Sequence, residues 1–215
     1  MALLEAAAHV FAESGFDAAS TRDIVTAAGL QQGALYHYYP GGKPELAEHV
    51  VELGFHMYAA PGSEPTHPNG LYLQMVVDAS IALGYRTPRD KFAQAAARLA
   101  TDQDQRTFGV LWNAYIPRVS AILQQSSEHG ELLQGVRPEE TAITWVEAFV
   151  GADIRYRKRL AEMPEAISRL NQTIVRGIAT PETLVLLDAS VERGALLYEL
   201  EEEARAASDS AETVA

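Results

Sequence analysis

Apolar residues recur along this chain at helical spacing, and no stretch alternates apolar and polar positions as a half-buried strand does. The pattern predicts an all-α protein. In the first segment Leu4, Ala8 and Phe11 share a face, and the period stops near Gly15. Ser20 stands where it can cap a short helix, "TRDIVTAAG", and Asp23 three residues on completes an acidic form of the capping box. Gly29 ends that helix. The stretch "GLQQGALYHYYPGGK" follows as a third short helix. Lys43-Pro44-Glu45 then opens a longer one running to about Tyr58, with Pro44 in the first turn, where its missing N–H is harmless.

Residues 59–70, "AAPGSEPTHPNG", carry no apolar period and are rich in Pro and Gly, so they read as a linker or surface loop. Further helical segments are predicted at roughly 71–84, 88–102, 106–127, 138–159, 164–177 and 181–204. Thr180 is the expected N-cap of the last, with Pro181 at its first position. From Ala206 onward, "ASDSAETVA" lacks bulk to pack and is expected to fray. The expected organisation is a small N-terminal helical domain over residues 1–49, a larger helical domain over 50–205, and a disordered tail over 206–215.

Two short helices joined through "AAG" and "LQQG" have the lengths and glycine placement of a helix-turn-helix, whose second helix enters the DNA major groove. The span "FAESGFDAASTRDIVTAAGLQQGALYHYYPGGKPELAEHVV" resembles the DNA-binding region of TetR-type transcriptional repressors. The resemblance runs through Phe11, Gly15, Phe16, Thr21, Ile24, Ala28, Gly29, Gly33, Leu35, Tyr36, Lys43 and Leu46. Farther on, "AAARLATDQD", Trp112 in "FGVLWNAYI", and "RLAEM" with "IVRGIATPE" are similar to the γ-butyrolactone receptor branch, streptomycete repressors that sense lactone autoregulators.

That resemblance implies a homodimer that binds pseudo-palindromic operator DNA through its small domain. The larger domain would hold a small apolar signal such as a γ-butyrolactone and form a helical dimer interface. On the DNA side it points to Thr21, Arg22, Gln31, Gln32, Gly33, Tyr36, His37, Tyr38 and Lys43. Gly33 would let the backbone approach the duplex, Gln31 and Gln32 would reach base edges, Tyr36 matches a phosphate contact, and Lys43 lies at a helix N-terminus suited to anions. Three positions depart from the family pattern: Tyr38 stands where a phosphate-contacting histidine is usual, Gln32 where many relatives have lysine, and the loop "PGGK" is one residue longer. Relatives also carry a basic arm ahead of the first helix. This chain begins inside that helix, so an arm upstream of Met1 is expected.

Charge sharpens the expectation. The formal net charge is −12, so any nucleic-acid contact must come from a local patch. Within residues 1–49, Arg22 and Lys43 face six carboxylates, Glu5, Glu13, Asp17, Asp23, Glu45 and Glu48. Phosphate contacts supply most non-specific affinity, so binding should be weak and salt-sensitive. A second reading follows from the same balance: a small-molecule binding or sequestering protein whose DNA function has decayed. Within the repressor reading, the signal could equally be an antibiotic or its precursor.

An alkyl lactone needs an apolar cavity with a few placed polar groups. Trp112 matches a tryptophan that lines the receptor pocket, and Met75, Leu83, Phe108, Tyr115, Thr144, Trp145 and Phe149 lie on segments that could complete it, Thr144 as a hydroxyl donor to a carbonyl. Each could also be ordinary core packing. The chain has no cysteine, hence no disulfide framework or thiolate chemistry. It shows no G-x-S-x-G elbow and no Walker loop, so neither an enzyme nor a cofactor is expected. His49, Glu52 and His56 share a helix face, but without a further ligand they read as a solvated face and not a metal site. The basic run "RYRKR" at 155–159 reads as cations favoured by a helix C-terminus. No apolar run reaches membrane-spanning length and no basic residue precedes the first apolar positions, so a cytoplasmic protein is expected.

Overall fold

A computed structural model describes residues 2–31, 33–56, 65, 67–102 and 110–214. They form eleven α-helices: α1 (Ala2–Ala18), α2 (Thr21–Ala27), α3 (Gly33–Tyr38), α4 (Lys43–His56), α5 (Tyr72–Arg86), α6 (Lys91–Asp102), α7 (Val110–Glu128), α8 (Pro138–Tyr156), α9 (Met163–Ile178), α10 (Pro181–Leu184) and α11 (Val191–Val214). Among the described residues there is no strand, only an isolated bridge between Leu132 and Ala179. The fold is all-α, as the apolar spacing predicts.

The local signals act as their chemistry requires. Backbone at Gly15 leaves helical geometry with φ 74°, so the regular part of α1 stops there. Ser20 Oγ accepts from the Asp23 N–H at 3.1 Å, the N-cap bond at the start of α2, and donates to the Asp23 carboxylate at 2.6 Å. At the other end of α2, Leu30 N donates to Val25 O and Gly29 N to Thr26 O, the paired bonds of a Schellman stop, with Gly29 at φ 68°. Thr180 accepts from the Thr183 N–H, but the helix it caps is the short α10. The long helix begins afresh at Val191. It runs on through Val214, so residues 206–214, expected as a frayed tail, continue α11.

The first apolar core is assembled from α1, α2, α3, α4 and α6. Leu3, Ala7, Ala8 and Phe11 from α1, Ile24 and Val25 from α2, Leu35 from α3, and Leu46, Val50 and Val51 from α4 pack with Ala95 and Leu99 of α6. This changes the expected boundary at residue 49. Packing runs straight through α4, and α6, forty residues farther on, is an integral wall of the N-terminal unit. Arg98 strengthens the joint by donating to the Glu13 carbonyl at 2.9 Å, near the end of α1. The α4–α6 approach is close enough to demand a glycine, since a Cβ on Gly54 would lie 2.5 Å from the Phe92 carbonyl oxygen.

Two further clusters fill the larger helical part. Leu73, Val76, Val77 and Ile81 of α5 pack with Leu123 of α7, Trp145 of α8 and Val175 of α9. Ala97 and Ala100 of α6, Val146 and Phe149 of α8, and Met163 and Ile167 of α9 form the other. Helix α6 therefore faces both parts of the molecule. Polar ties complete the frame: the buried Glu131 carboxylate accepts from the Tyr72 and Leu73 N–H groups at the start of α5, at 2.9 and 2.7 Å, and Arg193 of α11 grips Asp78 with two nitrogens.

Candidate DNA-binding face and ligand pocket

Helix α3 is a six-residue helix fastened by one side chain. Leu35 is 0% exposed inside the N-terminal core, whereas Tyr36 and Tyr38 are 55% and 66% exposed and His37 is also exposed. The Tyr38 ring meets His37 edge-on at 5.0 Å between centroids. Gln31 is exposed and its carbonyl accepts from Ala34 N at the start of the helix. On α2, Arg22 is exposed and Thr21 half-buried. Gln32 lies outside the described residues.

Gly33 differs from the other glycines of this region. A Cβ there would meet nothing within 4 Å, and its φ is not positive. Neither backbone strain nor packing in the chain requires a glycine at this position, although a helical glycine costs about 1 kcal/mol relative to alanine. Gly42, in the loop before α4, is the opposite case. Its φ is 75°, and a Cβ would come within 3.2 Å of the Tyr36 ring. The loop therefore seats Tyr36 against backbone while the residue stays 55% exposed.

The remaining members of the aromatic group are held differently. Tyr39 is half-buried, joins the N-terminal core and stands edge-on to His49 at 5.3 Å. Burial, aided by the Glu45 carboxylate, raises its hydroxyl pKa. His49 also places Nδ1 2.9 Å from the Glu45 carbonyl, and the His56 side chain lies outside the described residues.

Lys43 requires a correction to the expected anion contact. Its ammonium donates to the Phe16 and Ala19 carbonyls at 2.7 and 2.9 Å and lies 4.3 Å from the centre of the Phe16 ring. The cation points back at the end of α1, where carbonyls have no helical partner. It ties α4 to α1 and is not presented outward from the α4 N-terminus.

The expected pocket residues divide. Leu83, Tyr115 and Phe149 meet in one apolar cluster with Met163 and Ile167, and Trp145 lies in the neighbouring one with Val77 and Ile81. Met75 is buried on α5. Burial raises the Tyr115 hydroxyl pKa, against the opposing pull of Arg118. Phe108 lies outside the described residues, as does the side chain of Trp112.

Thr144 is a second correction: it is exposed, and its hydroxyl donates to the Glu140 carbonyl at 2.9 Å. With Thr141, Thr173 and Gly177 it lines an open groove of about 460 Å³ between α8 and α9, on the outer side of the helix from Trp145. On α8 the buried side takes Trp145 and Val146 together, while Thr144 falls on the exposed side.

Two arginines of the basic run are paired close by, while Arg155 and Lys158 are exposed. Arg157 pairs with Asp153 at 3.2 Å and reaches Thr101 of α6, and Arg159 pairs with Glu162 at 3.0 Å. Ser80 and Asn171, not among the expected pocket residues, are both buried. The signal was legible, since each interrupts an apolar stripe at four-residue spacing, Val76-Ser80-Gly84 and Ile167-Asn171-Val175.

Comparison with known proteins agrees with this geometry. Residues 3–50 match the family described as bacterial regulatory proteins, tetR family. Over 152 residues the chain is 23% identical to the A-factor receptor protein of Streptomyces griseus, a match covering 71% of this chain and about half, 52%, of that protein. Full-length TylP, a TetR regulator from Streptomyces fradiae, superposes with TM-score 0.74 at 26% identity over 92% of this chain and 94% of that one. CprB from S. coelicolor A3(2), described as a TetR family protein, shares the fold at TM-score 0.72 and 19% identity, over 92% of this chain and 96% of its own. Among the described residues no helix is long and apolar enough to cross a membrane. Residues 3–50 thus carry the helix-turn-helix region of the tetR family of bacterial regulatory proteins, and the chain shares the fold of the TetR regulator TylP over nearly its whole length.

Proposed function

We propose that this protein is a homodimeric, cytoplasmic repressor that leaves its operator when a small apolar molecule, of the γ-butyrolactone type, enters the larger helical part. The observation that carries the DNA reading is α3 itself: Leu35 anchors it, Tyr36, His37 and Tyr38 face outward, and Gly33 has open space where a side chain would stand. A bare backbone at the start of a recognition helix suits close approach to a duplex. Gln31, and Gln32 beside it, would read base edges, while Tyr36, Tyr38, Arg22 and the Thr21 hydroxyl would meet phosphates.

The exposed outer face of α8 and α9, lined with Thr141, Thr144, Thr173 and Gly177, suits close helix packing with a second copy. Similarity to the A-factor receptor supports the ligand class. Coupling would run through α6, which contacts both apolar systems, and through its tight seam with α4 at Gly54. Ligand favouring the conformation with wrongly spaced α3 helices would release a palindrome whose half-sites lie about 34–36 Å, or a multiple, apart.

A second reading, a ligand-binding protein that no longer grips DNA, is favoured by the excess of carboxylates in residues 1–49. One experiment separates the two. Operator fragments selected from a random pool are titrated by fluorescence anisotropy, then challenged with alkyl γ-butyrolactones, furans and antibiotics. The repressor reading expects one enriched palindrome and its release by a member of this set. No enrichment favours the second reading, and tight binding that nothing releases removes the ligand part.

A further inference from the structure

Helices α5 and α9 run antiparallel. The first turn of α5 and the end of α9 converge on Glu131, whose carboxylate takes the Leu73 N–H and whose carbonyl takes the Thr180 N–H. At the opposite end Gly84 faces Ile167, close enough that a Cβ would fall 2.7 Å from the isoleucine side chain. One turn back along α5 and one turn on along α9, antiparallel helical spacing sets Ser80 against Asn171. One turn farther the same spacing gives Val76 and Val175, which belong to one apolar cluster.

Ser80 and Asn171 are thus polar residues set opposite each other inside an apolar seam, and both are out of water, at 8% and 0% exposure. Asn171 Oδ1 accepts from Trp145 Nε1 at 2.9 Å. An indole N–H only donates, so this bond fixes the amide with its NH₂ turned away from the ring. That Nδ2 atom has no hydrogen-bond partner, and neither has Ser80 Oγ. Helical hydroxyls elsewhere in the chain, at Thr87, Thr101, Ser126 and Thr173, donate to the carbonyl four residues back. Ser80 does not. Unpaired buried donors are costly and rare in native proteins, so a pair of them aimed at one level of the core calls for an acceptor.

We propose that Asn171 Nδ2 and Ser80 Oγ are the polar contacts of the ligand pocket, both donating to a single neutral carbonyl oxygen of the ligand, with Trp145 orienting the amide. Two lone pairs on one carbonyl oxygen match two donors. A carboxylate fits poorly, because a buried anion needs a paired cation and the surrounding clusters are apolar. The inference rests on the reading that the larger helical part binds a small molecule. It replaces the exposed Thr144 as the hydroxyl that recognises the carbonyl.

The test is calorimetric titration of the full chain with three probes of similar size: a pentyl-substituted γ-butyrolactone, methyl heptyl ketone, and pentyl tetrahydrofuran, which keeps ring and tail but has no carbonyl. The expected result is that at least one carbonyl compound binds about tenfold or more tightly than the ether, and that Ser80→Ala cuts this preference about threefold. Asn171→Leu, checked for a cooperative melt because it orphans the Trp145 N–H, should remove the rest. Ser80→Ala should itself melt no lower than the parent, since it deletes an unpaired hydroxyl. A carbonyl preference that survives Ser80→Ala, an ether that binds as well as both carbonyl compounds, or a Ser80→Ala variant of lowered stability overturns the inference while leaving a ligand pocket in place. Ketone binding with the expected preference but no lactone binding keeps the inference and removes the lactone reading. Failure of all three probes to bind removes both.

Discussion

Gly33 and Gly42 stand nine positions apart and answer to different constraints. Gly42 is demanded by the chain, through its positive φ and the Tyr36 ring lying against it. Among the described residues nothing demands Gly33. Gly33→Ala should therefore stabilise the protein by up to about 1 kcal/mol, the ordinary helical gain, with a raised melting temperature. The same substitution should weaken operator binding measured by anisotropy, because the added methyl occupies the approach to the duplex. A variant that melts higher and binds DNA unchanged would place α3 away from the groove.

At the scale of elements, Lys43 shows how one side chain can join two helices. Its spacing in the sequence suited an anion site at the start of α4, but the ammonium closes onto the Phe16 and Ala19 carbonyls instead. Hydrogen bonds from a charged donor are worth about 1.5–3 kcal/mol, so Lys43→Met should lower unfolding free energy by roughly that amount in chemical denaturation, with the methionine still able to cover Phe16. Its effect on DNA binding should track the loss of stability and not the salt concentration. The α4–α6 seam at Gly54 belongs to the same scale: it joins residues of the N-terminal core that the chain separates by some forty positions, and it holds α6 where both halves of the molecule meet.

For the whole molecule, charge decides how DNA can be held. Arg22 and Lys43 are the only Lys or Arg residues among residues 1–49, and Lys43 is engaged internally. With Lys43 held inside, a dimer would bring two such cations from this region, the Arg22 pair, and the slope of log K against log salt should be about −2. Anisotropy between low and physiological salt measures this directly. A much steeper slope would mean that other cations of the chain reach the phosphates. With a shallow slope, affinity in the proposed repressor would rest on Gln31, Tyr36 and Tyr38 contacts and on pairing two half-sites, so that it would depend on the dimerisation proposed for the α8–α9 face.

The sequence alone determined whatever is written in neighbouring residues. Helical spacing, the Ser20 N-cap, the Gly29 stop and the helix-turn-helix with its family resemblance are local patterns, governed by backbone geometry over a turn or two. Only the tertiary structure decided matters that depend on what lies across a seam. It put α6 into the N-terminal core and turned Lys43 inward. It set Thr144 on the outside while Trp145 went in, and left Ser80 Oγ and Asn171 Nδ2 buried without a hydrogen-bond partner. An amphipathic period says which face of a helix is buried; it does not say which helix covers it, because burial of apolar area is non-directional and partner choice rests on shape.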